Sequence, residues 1–316
     1  MKESMTEKDN SREIKFDLID NGIDFIINAI RLISSKKESS DYKYAVLSLY
    51  SGVEILLKIP LQNIHWSLVV KDINKTDYSN YKIGDFQSVN LDECIQRLKN
   101  VCDIQIDKES CKAINVLREK RNRIEHFGIL DTEDAIIASI IPILDFVLNF
   151  LSKDVIGKEL SKSSIDKIND IRREAGEFKE YVDQKISVIK LPKDTSIIKC
   201  PICLQDTLVI DDGGKCLFCN YHASAEEIAE LYISDVIGFG WHDYKSGENP
   251  PLYICPSCGL ECFFPMNDEK FEYVCSSCGE KYIIEDIEFC CDCGEPFIKD
   301  GSPYCPDCYQ ARMMKE

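Results

Sequence analysis

The sequence predicts a mainly α-helical protein: an N-terminal helical bundle followed by tandem four-cysteine modules of short β-hairpins. Three observations carry this. Apolar residues recur at helical spacing from Phe16 to Ile189, whereas no strand pattern appears before Ile197. Fourteen of the 17 cysteines lie between Cys200 and Cys308. Twelve of those fourteen fall into six C-x-x-C pairs.

Helices are expected in the following order. Residues 1–15 read as a flexible N-terminus. Phe16, Ile19, Ile23, Ile26, Ile27 and Ile30 mark one face of a helix running to about Ile33. Ser39 to Asp41 is a break, and Tyr42 to about Ile59 is a second, largely apolar helix, with Glu54 and Lys58 spaced i, i+4. Asn63 to about Asn90 is rich in turn residues, including Asp77, Asn80, Gly84 and Asp85. Leu91 to Val101 and Lys108 to Phe127 are further helices, the latter ended by Gly128, and Thr132 to about Leu151 is another. Ile165 to Ile189 carries a 3-4 apolar seam through Ile168, Ile171, Ala175, Phe178, Val182 and Ile186, so it reads as one bundle helix. Domain boundaries follow: a helical bundle over 16–151, a helical extension or linker over 152–193, cysteine modules over 194–222, 253–285 and 286–316, and a helical insert over 223–252.

Residues Met1 to Lys15 lack the apolar stretch of a signal peptide. The longest apolar region, Ile136 to Leu151, is interrupted by Pro142, Asp145 and Asn149, and falls short of the roughly 20 residues of a membrane span. These features point to a cytoplasmic protein in a reducing compartment. The net charge of −17 is unevenly divided. Residues 194–316 hold 8 Lys+Arg against 23 Asp+Glu, a balance of −15, and residues 1–193 hold 30 against 32, a balance of −2. An acidic tail repels phosphates, which argues against sequence-independent nucleic-acid binding by the cysteine modules.

The six pairs are Cys200/Cys203, Cys216/Cys219, Cys255/Cys258, Cys275/Cys278, Cys290/Cys293 and Cys305/Cys308. Consecutive pairs combine with 12, 16 and 11 residues between the inner cysteines. Two tight C-x-x-C turns joined by a hairpin present four soft ligands to one tetrahedral Zn²⁺. Pro201, Pro256 and Pro306 follow the first cysteine of a pair, while Gly259, Gly279 and Gly294 follow the second. These modules resemble zinc ribbons over roughly the last 120 residues. Repeated spacing disfavours disulfides, and a redox pair is expected once rather than six times. An iron–sulfur cluster is harder to exclude on spacing. Closed four-cysteine sites leave no open coordination position, so three structural Zn²⁺ ions are expected. Cys262 and Cys291 are surplus, Cys291 being an alternative to Cys290, and His222 and His242 read as surface or packing residues. Ser224-Ala-Glu-Glu227 reads as a capping box opening a helix through about Ile233. The insert, with Trp241, Tyr244 and Pro250-Pro251, either packs the modules together or meets a partner.

The helical half contains Leu117-Arg-Glu-Lys-Arg-Asn-Arg-Ile-Glu-His126-Phe. At roughly 100° per residue, Asn122 and His126 lie about 40° apart on one face, with Arg118 beside Asn122. Arg121 is expected nearer the apolar face made by Ala113, Leu117, Ile124 and Phe127. Two ordinary readings compete with a functional one: a charged run is usually a solvated face, and a histidine near a helix C-terminus interacts with the dipole.

Arg121, Asn122 and His126 form R-N-x-x-x-H and resemble the motif of the HEPN superfamily of small helical bundles. The Gly52-Val-Glu-Ile-Leu-Leu-Lys58 segment is similar to that superfamily's second helix, so the resemblance spans roughly residues 15–150. It implies metal-independent endoribonuclease activity, usually in a homodimer that joins two motif helices into one cleft, and often a toxin or antiphage-defence role. The residue types suit such chemistry. The RNA 2′-OH is the nucleophile, His126 the proton-transfer group, Arg121 the cation at the developing phosphorane charge, and Asn122 an orienting group. Arg118, Lys120 and Arg123 supply positive charge for a phosphate backbone. No cofactor is needed for that reaction. The alternative is a non-catalytic dimeric adaptor that binds RNA or protein and carries structural zinc ribbons. In the first reading the acidic modules are expected to bind or regulate through a protein partner, or to cover the basic cleft; in the second they make protein–protein contact.

Overall fold

A computed structural model of the chain describes residue 14 and residues 16–35, 37–156, 160–268 and 270–314. The flexible segment expected over 1–15 lies outside these apart from Ile14. The predicted class holds: a helical N-terminal region is followed by small antiparallel sheets that carry the cysteines.

Helices α1 (Leu18–Ser35) and α2 (Ser39–Leu56) form an antiparallel pair. Their crossing depends on two glycines: a Cβ at Gly52 would stand 2.6 Å from Ile26 Cδ1 and 3.0 Å from the Gly22 carbonyl oxygen. Ile19, Ile23, Ile26, Ile30 and Ile33 are all buried, as helical spacing demands. α3 (Ile59–Ile64) follows. The turn-rich stretch contains a short helix the sequence pattern does not mark, α4 (Tyr78–Ile83), capped by Asp77 and closed by Gly84 at φ +80°. α5 (Leu91–Val101) begins with a capping box from Asn90 and Glu93. α6 (Lys108–His126) packs between α2 and α7 (Glu133–Phe150), and α7 runs on into a π turn, Leu151–Val155.

Two helical stretches, Ser39–Ile64 and Glu133–Val155, are long and apolar enough to cross a membrane. The second exceeds the apolar run Ile136 to Leu151 because its ends are polar. Both are mainly interior, 72% and 61% buried, which is the pattern of core helices.

The seam over 165–189 is divided between two helices, α8 (Lys162–Glu177) and α9 (Lys179–Val188). Phe178 leaves helical geometry at ψ 95° while its side chain stays fully buried. The apolar period continues through the bend because both helices face the same core.

The first module has the sheet β1 (Ile197–Ile198), β2 (Leu208–Ile210), β3 (Gly214–Cys216) and β4 (His222–Ala223). Its apolar residues join the core of the helical body. α10 (Ala225–Tyr232) opens with the expected Ser224/Glu227 box, then a π turn, Ile233–Ile237, and α11 (Trp241–Lys245) complete the insert. The second module is β5 (Phe263–Pro265), β6 (Tyr273–Cys275) and β7 (Lys281–Tyr282). The third is β8 (Ile287–Phe289) and β9 (Pro296–Ile298), followed by α12 (Pro306–Met313). Of the two roles considered for the insert, packing the modules together is observed. The Tyr232 ring packs tilted against Phe264 at 5.0 Å, and the Ser276 hydroxyl donates to the Ala225 carbonyl at 2.7 Å. Lys281 donates to the Ile197 carbonyl at 2.7 Å, joining the second module to the first. The Ile254 amide donates to Glu295 at 2.7 Å, joining the third to the second.

Candidate functional site

The twelve paired cysteines form three groups of four, as the spacing predicts: 200/203/216/219, 255/258/275/278 and 290/293/305/308. Within each group the Sγ atoms lie within 4.8 Å of one another. The resolved separations are 3.9 and 3.6 Å in the first group, 3.7 and 3.7 Å in the second, and 3.8 Å in the third. A disulfide needs about 2.05 Å. Four thiolates on one tetrahedral Zn²⁺ at ~2.3 Å stand ~3.8 Å apart, which is the spacing found. Thiolates on the separate irons of a multi-iron cluster stand further apart than thiolates sharing one ion.

Local backbone geometry explains how each cysteine turn is made. The residue after the second cysteine adopts positive φ in five of the six pairs: Leu204 (+60°), Asn220 (+56°), Gly259 (+74°), Gly279 (+76°) and Gly294 (+76°). Its amide donates back to the carbonyl of the first cysteine, as Leu204 does to Cys200 at 2.9 Å. Glycine takes this conformation at no steric cost, whereas Leu204 and Asn220 are held in it by the packed first module. The sixth pair differs. Cys305 caps α12 and Pro306 occupies its first turn, so Cys308 is presented by a helix rather than by a second hairpin.

The three groups differ in exposure. All four cysteines of the first are buried, two of the second are exposed, and the third is mostly exposed or half-buried. Around the first group the Thr207 hydroxyl lies 3.2 Å from Cys216 Sγ, and the Cys219 amide donates to the same sulfur at 3.4 Å. Arg172 of α8, only 2% exposed, reaches this group. It donates to the Cys219 carbonyl at 3.3 Å, to Asn169 at 2.7 Å and to Ser152 at 2.9 Å. With one Zn²⁺ bound, four thiolates would still carry excess negative charge, which a buried guanidinium here would offset. No spacing rule pointed to Arg172. Cys262 is buried beside the second group and Cys291 is exposed beside the third, and neither belongs to a four-sulfur set.

The basic helix is α6. Asp107 caps its start, accepting from the Glu109 and Ser110 amides at 2.9 and 2.8 Å, and the hydrogen bonds to Ser110 hold the Asp107 carboxyl below its usual range. Ile114 and Leu117 bury its apolar face. Arg121 lies over the Tyr50 ring of α2 at 5.1 Å and donates to Asn122 at 3.1 Å and Glu125 at 2.8 Å. Burial, then Glu54, push the Tyr50 pKa up, with Arg121 and Arg118 opposing. Asn122 and His126 are exposed one turn apart, and among the described residues the His126 side chain has no hydrogen-bonding partner.

Arg118 is drawn to Asp92 of α5, at 2.9 Å to both carboxylate oxygens, and Lys120 pairs with Asp131. Arg123 is exposed. Phe127 was expected on the apolar face but is 97% exposed, because the chain leaves the helix there at φ −138°, ψ −50°. Gly128 follows at φ +138°, its amide bonded to the Arg123 carbonyl at 2.7 Å, so it ends the helix as expected. Glu54 pairs with Lys58 at 3.1 Å, and Lys58 also donates to Ser88. Asp92, Asp131 and Tyr50 had no sequence signal, whereas Glu125 stands at i+4 from Arg121 and was open to the helix-pair rule.

The bonds that join the first module to the helical body run through Asn149, Ser152, Arg172 and Gly176. Among the described residues none runs to Arg121, Asn122 or His126, so the tail has no bond to the basic helix. Together these features define a helical bundle bearing three four-cysteine modules compatible with zinc ribbons. No family model, curated protein or solved structure matches the chain.

Proposed function

We propose that the protein is a metal-independent endoribonuclease of the HEPN type, toxin- or antiphage-defence-like, whose cysteine modules each hold a structural Zn²⁺ and serve a protein partner or regulation. The observation that carries this reading is the arrangement on α6. Asn122 and His126 are exposed on one face, and Arg121 is braced over Tyr50 of the adjacent helix. In this reading His126 moves a proton between the RNA 2′-OH and the leaving 5′-oxygen. Arg121 stabilises the pentacoordinate phosphate, and Asn122 orients a phosphate oxygen. The half-exposed ion pair of Arg121 with Glu125 is worth little, so a phosphate displaces the carboxylate at small cost. Exposed Phe127 and Leu130 beside His126 support a self-contact that brings two such helices together in a homodimer.

One observation favours the second reading, a non-catalytic dimeric adaptor. Arg118, Lys120 and Arg121 are each engaged by a carboxylate (Asp92, Asp131 and Glu125), which lowers the charge offered to RNA. The test is incubation of purified protein with total RNA in the presence of a chelator, beside His126→Ala and Arg121→Ala. Zinc content is measured before and after. Cleavage by the parent protein alone supports the enzyme. Absence of cleavage with RNA affinity retained supports the adaptor.

A further inference from the structure

The π turn that ends α7 carries Ser152 and Lys153 towards the first cysteine module, and π turns are frequent at functional sites. Facing them, Lys215 on β3 pairs directly across the sheet with His222 on β4. Between these elements lies a cleft of about 490 Å³ lined by Asn149, Ser152, Lys153, Lys215, Asn220 and His222. None of the six is acidic, in a chain with 55 Asp+Glu. Among the described residues no carboxylate lies within 4.0 Å of Lys153, Lys215 or His222.

The floor of the cleft is fixed. Asn220 donates to Asn149 at 2.9 Å, and the Ser152 hydroxyl donates to the Asn220 carbonyl at 3.2 Å while accepting from buried Arg172. These groups are engaged with one another, so the donors left for a ligand are the two ammonium groups and the imidazole. A lysine directly opposite a histidine gains nothing from its neighbour, and an anion between them supplies the missing partner.

Asn149 and Lys153 also line a second cleft, of about 480 Å³, whose lining includes Asp107, Glu109, Asp145 and Asp154. A cationic end joined to a carboxylate-rich end suits a ligand with a phosphate at one end and hydroxyl or amino donors at the other. It does not suit a continuous polyphosphate backbone, which the acidic end repels. The volumes fall in the range of small-ligand sites. We propose that this junction binds a free nucleotide, its phosphate held by Lys153, Lys215 and His222 and its sugar and base directed to the acidic cleft. The proposal is independent of the RNA-cleavage reading, because its phosphate donors lie on the α7 turn and the first module rather than on the Arg121 helix.

The test uses the full-length, zinc-loaded protein and isothermal titration with nucleoside 5′-monophosphates. Nucleosides, inorganic phosphate and a single-stranded RNA without terminal phosphates are titrated in parallel. Saturable nucleotide binding with Kd of about 1 mM or tighter is expected, stronger than for nucleoside or phosphate alone. Lys153→Gln/Lys215→Gln is expected to weaken it at least about tenfold, and Lys153→Arg/Lys215→Arg to retain it. Both lysines are exposed, so unchanged thermal midpoints confirm that the variants fold. Failure to saturate in that range overturns the proposal, as does equal affinity in the glutamine variant. RNA binding more tightly than the nucleotide and lost in the same variant also overturns it.

Discussion

Gly176 on α8 lies directly against the backbone of Cys203, the second cysteine of the first module. A Cβ there would stand 3.1 Å from the Cys203 carbonyl carbon and 3.2 Å from its Cα, and closer still to its oxygen. Helix propensity alone favours alanine over glycine by roughly 0.5–1 kcal/mol inside a helix. Here the contact is with backbone, which yields less readily than a side chain. Gly176→Ala is therefore expected to lower the thermal midpoint and loosen the first metal site. A raised midpoint would mean that the module does not dock on α8 as described.

Arg172 joins the same two parts by charge. Removing it leaves the Cys219 carbonyl, Asn169 and Ser152 without their buried donor and takes a buried cation from beside the first cysteine group. Arg172→Met is expected to cost about 2–4 kcal/mol in urea unfolding. It should also speed the slowest of the three metal-release phases, the one assigned to the first group. An unchanged release profile would show that Arg172 is only a packing residue.

The graded burial of the three sulfur groups sets an order of metal loss. A chromogenic chelator is expected to take the cation from the exposed third group first and from the fully buried first group last. Cys293→Ser should remove the fastest phase and Cys203→Ser the slowest. A single phase for all three equivalents would contradict this order.

Asp107 governs the start of the basic helix. Its cap is worth about 1 kcal/mol against Asp107→Ala. The folded carboxyl titrates below its unfolded value because Ser110 and the helix amides bind the charged form. Its contribution is therefore present in full above the unfolded value of about 3.9 and lost as pH falls through the depressed folded value. The difference in urea stability between parent and variant is expected to be flat near neutrality and to shrink below about pH 4. Cation release is common to both proteins and drops out of the difference.

Much of the architecture is local and was legible for that reason. α5 matches its expected bounds because the Asn90 and Glu93 box starts it and Cys102 ends it within a few residues. The cysteine groups were legible because C-x-x-C spacing is itself the geometry of the turn. The break at Phe178 was hidden, because periodicity reports which face is buried and both α8 and α9 bury theirs in one core. Phe127 misled for the converse reason: it lies in phase with Leu117 and Ile124, but the helix ends one residue too early to bury it. Arg172, Gly176 and Asp92 owe their roles to contacts between distant segments, which no short window of sequence contains. The R-N-x-x-x-H pattern of Arg121, Asn122 and His126 is visible in the sequence, whereas the Tyr50 ring beneath Arg121 requires the packing of α2 on α6.

If α6 cleaves RNA through the substrate's own 2′-hydroxyl, as proposed, the end chemistry of the products is the most direct readout. A short RNA and its counterpart with 2′-deoxy sugars are incubated with the parent protein and with His126→Ala. The expected result is cleavage of the RNA alone, leaving 2′,3′-cyclic phosphate and 5′-hydroxyl ends, with a loss of at least about a hundredfold in His126→Ala. Cleavage of the deoxy strand, 5′-phosphate ends, or an unchanged rate in His126→Ala would rule out 2′-hydroxyl attack assisted by His126.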